Sequence, residues 1–225
     1  MQRYTRFTRV WVVAVLSAVT ISSIAAQSLA ARTSRAPRAE LVQVKLAYGV
    51  SIGIPVGWVL QDAASNRRRT ERGIAVIDLA GLRTGQARAL LTASPDGNPD
   101  RTSVVISVIT RPAANQAAVA ALEGAQLQQV NAQFREDLEA VMRAEGAKLI
   151  EWLGASKVQI GDLYSLVSRY TYRMPNRAAQ TIESHRIFLG GGSVGLMLQS
   201  PIDEAESRQA DFAAIRASFH ATALP

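Results

Sequence analysis

Apolar and polar residues alternate in patterns that divide the chain into strand-like and helix-like segments. The clearest strand covers residues 102–110 (TSVVISVIT), which are rich in β-branched side chains. Residues from about 116 to 145 are predicted to be helical, with a kink near Gly124 and with Gly146 as the C-terminal cap. The apolar side chains of this helix recur at three- and four-residue steps and predict one buried stripe, formed by Leu127, Val130, Phe134, Leu138 and Val141.

Further strands are predicted on both sides of this helix. Those before it cover residues 42–46, 48–54, 73–80 and 87–93, and those after it cover 148–153, 156–160, 163–172, 181–189 and 194–199. The segments 148–153 and 156–160 are either two strands or one strand interrupted at Gly154. A final helical segment opens near Pro201 and Asp203, and its buried face carries Phe212, Ile215 and Phe219.

The order of these segments predicts an α+β fold. Short glycine turns join several of the strands, and such hairpins require antiparallel pairing. We therefore expect an antiparallel β-sheet flanked by helices, with one long central helix and one C-terminal helix.

The N-terminus has the pattern of a secretory signal. Arg3, Arg6 and Arg9 precede an apolar stretch at residues 10–26, and small residues follow it. We predict that residues 1–30 form a signal peptide. The alternative is an inner-membrane anchor through residues 10–26, a stretch near the lower length limit for a spanning helix.

The small-residue rule for signal cleavage favours a cut between Ala30 and Ala31, and Ala25 offers a second position. Residues 31–40 are then a flexible leader, and residues 41–225 a single domain. This organisation predicts a periplasmic or secreted protein.

Net charge and cysteine content exclude several classes of function. The chain carries a net charge of +7, but six arginines precede Glu40, the first acidic residue, so residues 39–225 carry 25 − 6 − 18 = +1. A nearly neutral body does not favour nucleic-acid binding. The chain has no cysteine, which excludes disulfides, a thiolate nucleophile, a cysteine-ligated metal and a lipoprotein anchor.

Three local patterns along the chain occur together in a known superfamily. They are a strand ending in Ile54-Pro55-Val56-Gly57-Trp58, Gly161 followed by the aromatic strand 163–172, and a closing run from Arg186-Ile187-Phe188-Leu189 through Pro201 to Ile215-Arg216-Ala217-Ser218-Phe219. Over residues 48–220 the chain resembles the PsbP-like superfamily of α/β/α sandwich domains, which includes DcrB-like and Mog-type Ran-binding proteins. The resemblance implies a non-enzymatic accessory or partner-binding protein. It assigns no metal ligand or partner contact to this chain.

Two groups of side chains are candidates for holding a cation. His185 and Glu183 share one face of a predicted strand and could hold a metal ion weakly, but we favour a half-exposed histidine beside a carboxylate. Asp203, Glu204 and Glu206 could bind calcium. Because the calcium-loop pattern is missing, we favour an interaction of these acids with the positive end of the last helix.

Catalytic motifs are not evident in the sequence. Ser193 lies in a Gly-Gly-Ser-Val-Gly run that is closest to a serine-hydrolase motif, but it joins two strands, whereas a nucleophile elbow joins a strand to a helix. No glycine-rich run continues into the lysine of a phosphate loop. We therefore predict no catalytic residue, no cofactor and no metal.

Two features suggest a binding function. Arg67, Arg68, Arg69 and Arg72 form an arginine loop that could contact an acidic partner or phospholipid headgroups, or could simply be solvated. Tyr164, Tyr170 and Tyr172 share a strand face that could line a ligand cleft or pack beneath a helix.

We expect an exported, non-catalytic accessory protein that binds another cell-envelope protein through the arginine loop or an exposed sheet face. The alternatives are a periplasmic carrier of a small ligand or lipid, enclosed by the tyrosines and the long helix, and a hydrolase with unrecognised groups.

Overall fold

The computed structural model describes residues 40–61, 87–110 and 114–222. The chain divides into two units, Met1–Ser34 and Arg35–Pro225, and all described residues belong to the second. The predicted signal peptide, the arginine loop and the predicted strand 73–80 lie outside the described residues. Within the described ranges, no helix has the length and apolar character required to cross a membrane.

Ten strands and three α-helices account for most of the described residues. The strands are β1 (Leu41–Lys45), β2 (Val50–Pro55), β3 (Val59–Leu60), β4 (Ala87–Ser94), β5 (Ser103–Ile109), β6 (Lys148–Ile160), β7 (Leu163–Arg173), β8 (Gln180–Phe188), β9 (Ser193–Pro201) and β10 (His220–Ala221). The helices are α1 (Gln116–Ala120), α2 (Gly124–Ala144) and α3 (Gln209–Ser218). Two 3-10 helices span Ala47–Gly49 and Ile202–Glu204.

The strands form two antiparallel sheets. Seven of the described strands make the large sheet in the order β3-β4-β5-β9-β8-β7-β6, and β1, β2 and β10 make a small sheet with β2 in its centre. The predicted α+β fold, with an antiparallel sheet, a long helix and a C-terminal helix, is confirmed. The separate small sheet was not predicted, because β1 and β2 have the same alternation as strands of the large sheet.

Each face of the large sheet has its own apolar core. On one face, side chains of the central strands pack against β2 and α3, with Ile52, Ile106, Leu196, Ile215 and Phe219 buried together. On the other face, α2 packs through Leu138 and Met142 against Tyr170 and Ile182. Because strand side chains alternate between faces, the two cores are built from alternate residues of the same strands.

The predicted helix 116–145 consists of two helices that meet near Gly124, whose φ of 45° favours a glycine. The buried residues of α2 are Phe134, Leu138 and Met142. Val141 was predicted to be in the buried stripe but is only half-buried, because Met142 follows Leu138 by one four-residue turn and takes that place.

Gly146 ends α2 as predicted. Its φ is 68°, its N–H donates to the carbonyl of Arg143 at 3.2 Å, and the N–H of Ala147 donates to the carbonyl of Met142 at 2.8 Å. These two hydrogen bonds form a Schellman motif, which satisfies carbonyls that have no partner inside the helix.

Two predicted boundaries were wrong, one at Tyr48 and one in the final helical segment. Tyr48 is not in a strand: its φ is 61° and that of Gly49 is 66°, so the chain turns there and β2 begins at Val50. Residues 148–160 form the single strand β6, whose pairing is irregular at Gly154, as the second of the two predicted alternatives has it. The final helical segment is divided into a 3-10 helix after Pro201 and then α3.

The side chain of Gln116 joins α1 to the large sheet. Its Nε2 donates to the carbonyls of Phe188 at 2.8 Å and Tyr164 at 3.1 Å, and its Oε1 accepts from the Tyr164 N–H at 2.6 Å. At the preceding position, the Asn115 side chain accepts from the Ala118 N–H and so caps the helix. One amide therefore satisfies three backbone groups at the ends of β7 and β8.

Candidate functional site

Glu183 lies at the centre of a cluster of five polar residues, which we call the Glu183 cluster: Ser165, Arg169, Glu183, His185 and Arg216. Arg169 on β7 is the cross-strand partner of Glu183 on β8, and Arg216 comes from α3. The carboxylate accepts from His185 Nε2 at 2.7 Å, from Arg216 Nη1 at 2.7 Å and from Arg169 Nε at 2.8 Å. Ser165 Oγ is 3.2 Å from His185 Nδ1.

These contacts determine the charge state of the cluster. Burial alone would raise the pKa of Glu183, but hydrogen bonds from His185 and Arg169 and the charge of Arg216 outweigh it and lower the pKa to about 2. Burial lowers the pKa of His185 and outweighs the attraction of the carboxylate. Because an ionised carboxylate only accepts, the proton of neutral His185 is on Nε2, and Nδ1 accepts from the Ser165 hydroxyl.

The Glu183 cluster contains a serine, a histidine and a glutamate in hydrogen-bonded order, but its geometry does not suit nucleophilic catalysis. The side chain of His185 is 1% exposed and Ser165 is 0% exposed, so a substrate cannot reach the hydroxyl. Our expectation of a half-exposed histidine was wrong: His185 is buried on the face of the sheet that packs against α3, and its neighbour Glu183 binds two arginines. The described residues also contain no group of three or more His, Asp or Glu side chains positioned for a metal ion.

Tyr164, Tyr170 and Tyr172 lie on the helix-covered face of β7. Tyr170 is buried against α2, and its ring stacks on Trp152 with a centroid distance of 6.3 Å. This burial raises the pKa of Tyr170 above its ordinary value. The Tyr172 ring is 6.2 Å from that of Tyr170, and Lys157 Nζ lies 5.5 Å from the Tyr164 ring centre. The structure thus brings the three tyrosines together on one face, between the sheet and the helices.

An open pocket of about 390 Å³ lies beside this aromatic group, between the second half of α2 and the beginning of β6. Its lining combines apolar and charged side chains, including Met142, Arg143, Lys148, Leu149, Ile150 and Trp152. We call it the α2–β6 pocket. No signal in the sequence indicated it, because its walls come from residues assigned separately to a helix and to a strand.

β6 is an edge strand with two β-bulges. Its pairing with β7 is shifted between Leu149 and Glu151 and again between Trp152 and Gly154, so Ile150 and Leu153 have no cross-strand partners. These two extra residues are 44% and 55% exposed. Bulges at a sheet edge redirect side chains and interrupt the row of pairing groups. Here they present two large apolar side chains to solvent near the α2–β6 pocket.

Asn131 on α2 holds the second bulge in place. Its Oδ1 accepts from Trp152 Nε1 at 3.1 Å and from the Ala155 N–H at 2.6 Å. Gly154, between these two donors, has a φ of 104° that other residues rarely adopt. The sequence did not single out Asn131, because a polar residue beside an apolar stripe is usually solvated.

Replacing Asn131 with alanine is expected to lower the free energy of unfolding by about 2 kcal/mol, since two partly buried donors lose their acceptor. Urea unfolding followed by tryptophan fluorescence measures this loss. Asn131→Asp is the matched control, because it retains an oxygen at the same position and should keep most of the stability. Equal losses in both variants would show that the acceptor oxygen is unimportant.

The other candidate residues lie apart from this region. Ser193 begins β9, is buried, and its Oγ accepts from Arg186, so it is part of the sheet. Glu204 lies in the 3-10 helix and binds Arg101, Thr102 and Arg208. Our assignment of the residue 203–206 acids to the dipole of the last helix was therefore wrong for Glu204, because α3 begins only at residue 209. The arginine loop lies outside the described residues.

Comparison with known proteins finds similarity in fold at low sequence identity. No family model and no curated protein matches the chain. Among solved structures, a PsbP protein (CyanoP) from Synechocystis sp. PCC 6803 is 13% identical over 81% of this chain and 93% of its own, with a TM-score of 0.49. LpqN of Mycobacterium tuberculosis, described as involved in cell envelope biogenesis, is 11% identical over 83% of this chain and 91% of its own, with a TM-score of 0.45.

A protein from Bacteroides thetaiotaomicron VPI-5482 is 13% identical over 80% of this chain and 49% of its own, with a TM-score of 0.41. The PsbP protein among these structures belongs to the superfamily that the sequence resembles. These identities and TM-scores support no conclusion about an activity.

Proposed function

We propose that this protein is an exported, non-catalytic accessory protein that binds another cell-envelope protein at the α2–β6 pocket. The observation that carries the proposal is the exposure of Ile150 and Leu153 on consecutive bulges beside that pocket. Exposed apolar side chains beside a surface pocket are typical of protein-binding sites. The signal pattern at residues 1–30 supports export of the chain.

The surroundings of these two residues also suit a protein partner. Arg143 and Lys148 line the pocket, and neither forms an ion pair with another described residue. Glu151 lines it too and is likewise without an ion pair within the described ranges. A patch with an apolar centre and unpaired charges of both signs at its edge matches the usual arrangement of a reversible protein interface.

Changing the two bulge residues should strongly weaken partner binding. With a photoreactive amino acid at Glu151, we expect one crosslinked envelope protein in intact cells, and we expect Ile150→Ser combined with Leu153→Ser to reduce its yield about tenfold. Immunoblotting and mass spectrometry of the crosslinked product measure the effect. The matched control is Val42→Ser combined with Val56→Ser, which changes two residues that are each 56% exposed elsewhere.

Equal yields from the two double variants, or no crosslink at all, would contradict the proposal. The same assay tests the arginine loop as a second contact. If Arg67, Arg68, Arg69 and Arg72 contribute, their joint replacement by alanine lowers the yield further. Unchanged recovery removes that loop from the interface.

A carrier of a small ligand or lipid is the second candidate function, because the volume of the α2–β6 pocket falls within the range of ligand sites. The apolar part of its lining, Met142, Leu149 and Trp152, could contact such a ligand. In the crosslinking experiment, a carrier would yield a lipid or small-molecule adduct in place of a protein.

A further inference from the structure

Two arginines from different elements converge on the single carboxylate of Glu183. Arg169 uses its Nε and Arg216 uses one Nη for this contact. Neither guanidinium group has another hydrogen-bond or ion-pair partner among the described residues. A guanidinium has five N–H donors, so each arginine keeps donors that can bind a second acceptor.

These remaining donors are accessible to solvent. The side chain of Arg169 is 43% exposed and that of Arg216 is 31% exposed, whereas Glu183 between them is 17% exposed. With Glu183 ionised and His185 neutral, the cluster carries 2 − 1 = +1. One arginine would have neutralised the carboxylate, so the second leaves an excess positive charge at a fixed place on the surface.

A second carboxylate in the protein shows what a neutral version of this arrangement looks like. Glu204 also contacts two arginines, Arg101 and Arg208. Arg208 is in addition 3.7 Å from Asp211, so that group carries 2 − 2 = 0. Two arginines around one glutamate thus do not by themselves leave unbalanced charge, and the Glu183 cluster differs in having no second acid.

We propose that Arg169 and Arg216 form, beside Glu183, a binding site for an oxyanion of the phosphate or carboxylate class. The anion's oxygens accept the guanidinium N–H groups that Glu183 leaves unused. The planar fork of arginine suits the paired oxygens of both anions.

Glu183 has a positioning role in this site. It holds Arg169 from a strand and Arg216 from a helix, so much of the side-chain entropy that binding would otherwise cost is already lost. The site involves the opposite face of the sheet from the tyrosines and α2, and it does not depend on the proposed partner.

An NMR titration of the ¹⁵N-labelled mature protein tests this inference. The Nε–H resonances of Arg169 and Arg216, assigned with Arg169→Lys and Arg216→Lys, are followed as sodium phosphate or sodium succinate is added. Sodium chloride of equal ionic strength is the blank. We expect saturable shifts of both resonances with phosphate or succinate and none with chloride, and the anion with the lower apparent Kd identifies the class.

Variants then locate the site. Arg216→Gln is expected to raise the apparent Kd about tenfold, and Arg216→Lys, which keeps the charge but loses the fork, should weaken binding as well. Arg101→Gln is the matched control at the neutral Glu204 group and should leave the Kd unchanged. Shifts of equal size in chloride, an equal effect of Arg101→Gln and Arg216→Gln, or no saturable shift would each overturn the proposal.

Discussion

Replacing Glu183 with glutamine is expected to lower the free energy of unfolding by about 3 kcal/mol. The neutral amide leaves Arg169 and Arg216 close together without a counter-charge, and the carboxylate is lost as acceptor for buried His185. Because both guanidinium groups are partly exposed, solvent screens their charges. The expected loss of stability is therefore at the lower end of the losses that follow the breaking of buried ion pairs. Urea unfolding of wild type and variant at pH 7 measures the difference.

The dependence of this difference on pH identifies its electrostatic origin. The folded-state pKa of Glu183 is about 2, below its ordinary value of 4.5. Its contribution to stability is therefore fully present above pH 4.5 and is lost as the pH falls toward 2. We expect the difference in the free energy of unfolding between wild type and Glu183→Gln to shrink as the pH falls from 4.5 toward 2. A difference that stays constant would indicate that the loss comes from packing.

A surface ion pair on the same protein is the control for this substitution. Glu139 on α2 forms an exposed ion pair with Arg135 at 2.8 Å. Glu139→Gln should change the free energy of unfolding by less than about 0.5 kcal/mol, because solvent screens such pairs.

Gln116→Glu is expected to lower the free energy of unfolding by about 3 kcal/mol. The wild-type amide donates to the carbonyls of Phe188 and Tyr164, and a carboxylate at this position loses both hydrogen bonds and faces both oxygens. It can still accept from the Tyr164 N–H, so one of the three contacts survives. Chemical unfolding at pH 7 measures the loss.

Lower pH should partly restore the stability of Gln116→Glu. Once protonated, the carboxyl group introduced at position 116 can donate one hydrogen bond. The difference in the free energy of unfolding from wild type therefore narrows as the pH falls below the pKa of that carboxyl group. Gln128→Glu, at an exposed position of α2, is the matched control and should stay within about 0.5 kcal/mol of wild type. A loss of similar size in both variants would indicate that added negative charge, and not the site of Gln116, is responsible.

The elements of this fold could be predicted because their signals are local. The β-branched run at 102–110 corresponds to β5, and the three- and four-residue apolar spacing corresponds to α2. Gly146 was correctly predicted to end α2, and the kink predicted near Gly124 is a break between two helices, since positive φ angles favour glycine. Such features depend on a few neighbouring residues and are visible in one sequence.

The candidate site could not be predicted in the same way, because its members meet only through the tertiary structure. Glu183 and His185 share a strand face, as their spacing indicated, but nothing in the sequence places Arg169 and Arg216 beside them. Gln116 and Asn131 are polar residues in helices, and such residues are usually solvated. Their buried hydrogen bonds depend on which strand ends and which bulge lie opposite them.

The order of strands in the large sheet has a consequence for how the chain folds. Ile109 in β5 pairs with Ser193 in β9, so the sheet becomes continuous only after β9, more than eighty residues later in the chain, has been synthesised. Until β9 inserts, β3-β4-β5 and β6-β7-β8 are separate half-sheets, and pairing between such distant segments slows folding. A nascent chain of this topology therefore stays without its complete sheet until β9 has left the ribosome.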